Sequence, residues 1–378
     1  MDRIVYLDNA ATTKIKPEVF EEMKPFFAEC FGNPSAQYGF VTPVKKKIEL
    51  CRRNIAELLN ASEDEIYFTS GGTESDNWAI KSIAEKYKTK GKHIITSCIE
   101  HHAVLNTMKW LEENGYRITY TPVDKNGIID LDFLQKSIDD ETILISIMTA
   151  NNEIGSIQPI KRIGEIARKN KIVFHTDAVQ AYGHIPIDVK KMKIDMLSAS
   201  GHKIYGPKGI GVLYVRNGVK IGSFIHGGSQ EFGLRAGTYN TPGIVGMGKA
   251  SEIAIRFMSD NEKVRDTRNL LLKKIETEIP KVFLNGDIEN RLPNNLSITF
   301  EGVDSEALLT MLSENGIYAS SGSACTSGDT KPSHVLKAIG LSDKDIKSTI
   351  RFSVSDDTTA DDIEYAIKVL KGCVSALR

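Results

Sequence analysis

The stretch "SASGHKIYGPKG", residues 198–209, places Lys203 directly after His202 in a run of Ser and Gly that turns through Gly206-Pro207. Surface lysines usually sit among other charges on helices. An amine on so permissive a backbone suits covalent chemistry, because a lysine taken out of water loses proton affinity and can form a Schiff base with an aldehyde. Asp177, in "KIVFHTDA", could ligate a metal or pair with a protonated heteroaromatic nitrogen, or be a satisfied buried carboxylate. "SGGTES" offers backbone N–H groups and hydroxyls at a helix start, a seat for phosphate; it also fits a Gly-rich turn capped by Thr or Ser. It lacks the lysine pattern of a nucleoside triphosphate loop. His101 could stack on a planar ring and shuttle a proton, leaving His102 as a bystander. A Schiff-base lysine, a phosphate cup and an Asp for a pyridinium nitrogen together form the inventory for pyridoxal 5'-phosphate.

These residues fall at the ends of predicted strands. "EIYFTS", "HIITS", "RITYTPV", "TILISIMTA", "KIVFHTDA", "DMLSAS" and "GVLYVR" read as strands, several of them continuously apolar as for strands buried on both faces. Helical patterns separate the first six: one follows "SGG" with Thr73 or Ser75 as N-cap and Gly91 as stop, another runs from about Glu100 to Asn114. The alternation predicts an α/β fold with a mainly parallel sheet and right-handed crossovers. Ligands bind such a sheet beyond the carboxyl ends of its strands. Gly71-Gly72-Thr73, His101, Asn151-Asn152-Glu153, Asp177 and the Ser200–Lys203 stretch lie there, on five separate strand ends. After about residue 257 longer polar helices with isolated strands such as "NLSITF" predict a smaller α+β domain: residues 14–257 as the large domain, residues 1–13 with 258–378 as the small one.

With 378 residues, 41% hydrophobic and 26% charged, the chain has the composition of a globular protein large enough for two packed domains. Lys+Arg 48 against Asp+Glu 49 points to neither nucleic acid nor an anionic membrane. No run is apolar enough to span a bilayer, and "MDRIVYLDNAATT" resembles neither a signal nor a transit peptide, so the cytoplasm is the expected compartment. Five scattered cysteines without a Cys-x-x-Cys pair read as free thiols, not as a disulfide framework or a structural metal site. Four of them sit in helix or strand contexts; Cys325, in "SSGSACTSGD", does not.

"YLDNAATT", "FGNPS", "TSGGTESDN", "EHHAVL", "NNEIGSIQPI", "HTDAVQ", "SGHKIYGPKGIG", "RAGT" and "SSGSACTSG" follow one another as in the cysteine desulfurases of the NifS/IscS type. The chain is therefore identified as resembling that family, part of the class-V aminotransferase superfamily of fold-type-I pyridoxal-phosphate enzymes, from about residue 4 to beyond 350. The resemblance implies a mainly parallel seven-stranded sheet flanked by helices. It also implies a homodimer and a role for each matching residue. Lys203 would bind the cofactor aldehyde, Asp177 its ring nitrogen and Gln180 the neighbourhood of its ring hydroxyl, with His101 stacked on the ring as acid/base. Gly72 and Thr73, with Ser200 and His202, would form the phosphate seat, helped by Thr238 from a partner subunit. Asn152 would lie beside the ring hydroxyl and the substrate, and Arg351 would hold the substrate carboxylate as a planar fork.

By the same resemblance, Lys203 removes the Cα proton of L-cysteine, and the Cys325 thiolate takes the sulfur, leaving alanine and a Cys325 persulfide. A Ser/Gly-rich loop suits the travel of that persulfide to an iron–sulfur scaffold or another acceptor protein. No resident metal is implied, although Cys325 could meet an iron–sulfur cluster during transfer. The chain departs from the family pattern at Tyr38, where a histidine is common, at Phe232, where an arginine is usual, and at Asp356-Asp357. Phe232 and the Asp pair are expected near the dimer-side phosphate contacts or Arg351. Rival readings are a selenocysteine lyase or other β-lyase, an aminotransferase, in which Cys325 would be idle, and a non-catalytic subunit of the same fold. A dinucleotide-binding oxidoreductase lacks its Gly-x-Gly-x-x-Gly run after a first strand.

Overall fold

The computed structural model describes residues 3–258, 262–321 and 332–378. Cys325 lies outside the described residues. The seven expected strands of the first half are all present: β2 (Ile66–Thr69), β3 (His93–Ser97), β4 (Arg117–Thr121), β5 (Thr142–Ser146), β6 (Val173–Asp177), β7 (Met196–Ser200) and β8 (Gly211–Val215), with β1 (Val5–Tyr6) preceding them. They form one sheet in the order β2-β8-β7-β6-β5-β3-β4. Every neighbouring pair is parallel except the two that β8 makes, with β2 and β7. The exception has a local cause. Between β7 and β8 run only residues 201–210, too few for a crossover helix, so the chain doubles back. Lys203 sits in that connection, at the end of the short 3₁₀ turn Gly201–Lys203.

Consecutive strand residues point to opposite faces, and both faces are covered. Val173, Met196 and Leu213 pack with Trp78, Ile80 and Met108 from the helices Gly72–Tyr87 and His102–Glu113. Their neighbours Phe174, Leu197 and Tyr214 pack on the other side with Ile55 and Leu59 of the helix Thr42–Leu59, Ile163 of Ile160–Lys169 and Val245 of Thr241–Phe257. This double burial is why the strands read as continuous apolar runs.

A separate cluster gathers Val5 and Leu7 with Leu271, Ile298, Leu308, Phe352 and Ile367. It covers an antiparallel sheet of β9 (Val282–Asn285), β10 (Asn295–Phe300) and β12 (Thr349–Ser353), in the order β12-β10-β9. β1 pairs in parallel with β11 (Ile317–Tyr318). A fourth cluster joins Val335, Leu336 and Ile339, from the helix His334–Ala338 and its end, to Ile99 and Met148 in the loops beyond β3 and β5. Among the described residues no helix is long and apolar enough to cross a membrane.

Candidate functional site

Beyond the carboxyl ends of β5, β6 and β7 lies a cavity of about 180 Å3. Its lining includes Gly72 and Thr73 from the helix start after β2, His101 after β3, and Asn152 after β5. Asp177 and Gln180 follow β6, Ser200, His202 and Lys203 follow β7, and Arg351 enters from β12. Ten of the twelve residues singled out from sequence thus meet at one opening. Thr238 does not: it is exposed and lies outside this chain's cavity lining. Cys325 is outside the described residues.

The amine is held by the N-terminal segment. Lys203 is buried, and its Nζ donates to the carbonyls of Ala10, at 2.5 Å, and Ala11, at 2.7 Å. Gln180 Nε2 donates to the same Ala10 carbonyl at 2.9 Å. Thr12 Oγ1 lies 3.2 Å from His202 Nδ1, and Thr13 bonds to the His202 carbonyl through its N–H and its hydroxyl. Residues 10–13 therefore act as a strap over the Lys203 turn.

His101 has a structural task that sets its chemistry. It is the N-cap of the helix His102–Glu113, its Nδ1 accepting the Ala103 N–H at 3.1 Å. The helix accordingly starts two residues later than expected, and the accepting Nδ1 puts the ring proton of the neutral imidazole on Nε2. Burial, with the nearby charge of Lys203, lowers the His101 pKa to about 4, so the ring is neutral at physiological pH. The expected Thr73 or Ser75 cap is not found either: the helix begins at Gly72, with Gly71 as N-cap at φ 156° and no side-chain cap. A Cβ on Gly72 would lie 2.5 Å from Val179 Cγ2, so only glycine lets the helix start this close to the β6 end.

The opposite wall is acidic. Asp177 Oδ1 accepts the Val179 N–H at 2.8 Å, and burial raises its pKa to about 6 against the lowering effects of that bond and of Lys203. Asp76, one helical turn beyond Gly72, lines the same cavity fully buried. Burial first, then the Asp177 carboxyl, drives its pKa well above the usual range. Its Oδ1 has no hydrogen-bond partner among the described residues and stands 3.6 Å from His175 Nε2. Burial lowers the His175 pKa to about 3; its ring is held by the hydroxyls of Ser146, at 2.9 Å, and Ser198, at 3.0 Å. Glu100, directly before His101, is also buried, with a pKa raised to about 8.

Arg351 is almost wholly buried. Its Nη2 donates to Asp8 Oδ1 at 2.8 Å and its Nη1 to the Asn152 carbonyl at 3.0 Å. Asp8, Asp76 and the carbonyls of Ala10 and Ala11 were not singled out from sequence. All lie in motifs quoted above, "YLDNAATT" and "TSGGTESDN", and Asp76 shares the helix face of Gly72 at a spacing of four, which was the available signal.

The departures sit elsewhere. Phe232 has φ 58°, is exposed, and meets Tyr67 edge-on at 5.8 Å. Asp356 is ion-paired with Lys16. Neither lines the cavity, so the expected closeness to the phosphate or carboxylate contacts is not seen within this chain.

The model of the aminotransferase class-V family matches residues 5–366. The cysteine desulfurase IscS of Clostridium botulinum (strain Hall) is 53% identical over 100% of this chain and 96% of that protein. The cysteine desulfurase IscS of Methanosarcina thermophila is 54% identical over 100% of this chain and 93% of its own length. Among solved structures, a NifS-like protein superposes with a TM-score of 0.93 at 40% identity, covering 99% of this chain and 100% of that one. A structure described as SspA in complex with cysteine gives 0.83 at 41% identity, covering 94% and 99%. With the seven-stranded sheet and the cavity at its strand ends, these relationships establish that the chain belongs to the class-V aminotransferase family, among its cysteine desulfurases.

Proposed function

We propose that this protein removes the sulfur of L-cysteine, releasing L-alanine, with pyridoxal 5'-phosphate as its cofactor and Cys325 as the first sulfur acceptor. The observation that carries the reading is the meeting of Lys203, Asp177, His101 and Arg351 at one cavity. The donor set fits the cofactor: a buried amine for the aldehyde, a buried carboxyl for the ring nitrogen, and a helix start with Thr73, Ser200 and His202 for the phosphate. Bound there, pyridoxal phosphate supplies an electron sink for cleavage of the substrate Cα–H bond.

The chain's own residues do the rest. Arg351 fixes the substrate carboxylate, with Asn152 beside it. Lys203 Nζ takes and returns the Cα proton, and the neutral His101, with its ring proton on Nε2, serves as acid/base. Gln180 orients the ring hydroxyl. The Cys325 thiolate bonds to the substrate sulfur as the Cβ–S bond breaks, leaving a persulfide on Cys325 and, after proton return to carbon, alanine. The persulfide sulfur passes to an iron–sulfur scaffold or another acceptor protein in the cytoplasm. A homodimer in which Thr238 reaches the partner's phosphate seat accounts for its exposure here. In the same reading residues 14–257 bind the cofactor, and residues 1–13 with 258–378 carry Arg351 and Cys325.

The test is the visible spectrum of the purified protein before and after L-cysteine, with alanine and sulfide assayed under a reductant. The expected result is an absorption band that changes with cysteine, and product from wild type but not from Cys325→Ala. Continued product release by Cys325→Ala would move the reading to a lyase or transaminase. A colourless protein that cannot be reconstituted with pyridoxal phosphate would overturn it.

A further inference from the structure

Arg351 is a cation that its surroundings already commit: it is 2% exposed, and two of its three nitrogens have protein partners. The third does not. Arg351 Nε is buried and has no hydrogen-bond partner among the described residues, although the side chain lines the cavity. A buried unpaired donor is unfavourable, because it has given up water without gaining a partner. A carboxylate arriving from the cavity would satisfy it and fork between Nε and Nη2. Asp8 is differently placed. It is bonded to Nη2 but does not line the cavity, so it need not leave when a ligand enters.

Its own position is fixed independently of any ligand. The Asp8 carbonyl accepts the Ala11 N–H at 3.0 Å and the Tyr6 hydroxyl at 3.1 Å, and Asp8 bridges to Ser353, two residues beyond Arg351 on β12. Asn9 Nδ2 donates to the Ser353 carbonyl at 2.8 Å. Asp8 thus sets a carboxyl group against the cation that is to bind a second carboxylate. One guanidinium between two carboxylates binds the second less tightly than a guanidinium between a carboxylate and a neutral group.

We infer that Asp8 is a positioning residue that sets a deliberately moderate affinity of Arg351 for the α-carboxylate, the substrate taking the Nε–Nη2 edge while Asp8 stays in place. This deepens the function proposed above and rests on its assignment of Arg351. Substrate and product share that carboxylate: cysteine and alanine differ only in the sulfur. A site that held it as tightly as an unopposed arginine would keep alanine and block the next turnover. Asp8 weakens both by the same factor, which is uniform binding and leaves the chemical step untouched.

The experiment compares wild type with Asp8→Asn as holoenzymes. KM for L-cysteine and the inhibition constant of added L-alanine are measured, and alanine binding is followed separately by the change in the cofactor absorption band. In Asp8→Asn both constants fall together, by about three- to tenfold, and the change lies in KM and not in kcat. The pairing lost from the buried arginine shows as a lower melting temperature, which alanine restores more strongly than in wild type. If KM and the alanine constant rise instead, or move by unequal factors, Asp8 does not weaken the carboxylate site and the inference is overturned. Asp8→Ser, smaller but still carrying an acceptor, gives the same comparison should the Asn variant not fold. Arg351→Gln separates the two layers. A rise in its KM with no fall in Asp8→Asn sinks only the role of Asp8, whereas an unchanged KM in Arg351→Gln sinks the assignment of Arg351 as well.

Discussion

The two walls of the cavity are built on opposite electrostatic terms. On the wall formed by residues 8–13 and β12, each cation has oxygen partners within hydrogen-bond distance: Lys203 on the Ala10 and Ala11 carbonyls, Arg351 on Asp8 and the Asn152 carbonyl. On the wall formed by β6 and the helix Gly72–Tyr87, the carboxyls of Asp76 and Asp177 lie buried together. Asp76 Oδ1 and, just behind it, Glu100 Oε2 lack partners among the described residues. Asp76, Asp177 and Glu100 all have raised pKa values, and burial is the leading cause in each case. The difference teaches that the cationic wall is assembled before any ligand arrives. The acidic wall holds carboxyls that burial makes less ready to ionise, and a protonated ring nitrogen beside Asp177 would favour its ionised form.

The sharpest way to break this contrast is to remove the cation. Lys203→Ala is expected to lower alanine formation by on the order of 10³-fold or more, since Lys203 is the base proposed to move the Cα proton. A stopped assay of alanine with saturating cysteine reads this, and loss of less than tenfold would mean another base is in place. Next comes Asp177, the carboxyl proposed to face the ring nitrogen. Asp177→Asn, isosteric and unable to ionise, is expected to cost roughly 10²-fold in kcat and to weaken retention of pyridoxal phosphate during dialysis. Unchanged activity would show that the charge of Asp177 has no part.

The smallest effect sharpens the comparison without touching the cavity lining. Glu100 has a folded pKa of about 8 against an ordinary value near 4.5, so between those values the folded protein binds more protons than the unfolded chain. Its contribution to stability is therefore fully present below about pH 4.5 and is lost as pH rises toward 8. Glu100→Gln removes that slope. Denaturant midpoints at pH 5 and pH 8 should show wild type losing on the order of 3 kcal/mol more than the variant between the two. Parallel losses would mean that Glu100 is ionised in the fold.

The strands were legible because both sheet faces are covered, which turns each of them into a short apolar run. "TILIS" and "GVLYV" are buried throughout. The helix starts were less so. Asn114 and Gly115 correctly announced the end of the helix His102–Glu113, whereas its beginning is capped by a histidine, a residue that side-chain statistics do not favour there. Gly71 takes the place of a polar cap after β2, because the close approach to Val179 excludes any side chain at Gly72 and the turn forms with glycine on both sides of its first peptide. "TIRFS" carries Arg351, but its role as the edge strand β12 depends on β10, which lies about fifty residues earlier.

The chemistry-bearing types and their order along the chain belong to the sequence alone: a lysine after Ser-Gly-His, an aspartate at a strand end, a Gly-Gly-Thr helix start. Crossover topology carries such residues to one edge of a parallel sheet whatever the side chains do, so their convergence was readable without coordinates. Which groups face one another across the cavity was decided only by the tertiary structure. Asp8 and Arg351 are 343 positions apart, and Ala10 reaches Lys203 across 193. No local periodicity registers such distances. They close because β1 pairs with β11 and Val5 and Leu7 sink into the cluster around Phe352, and that burial brings residues 8–13 across the mouth of the large sheet.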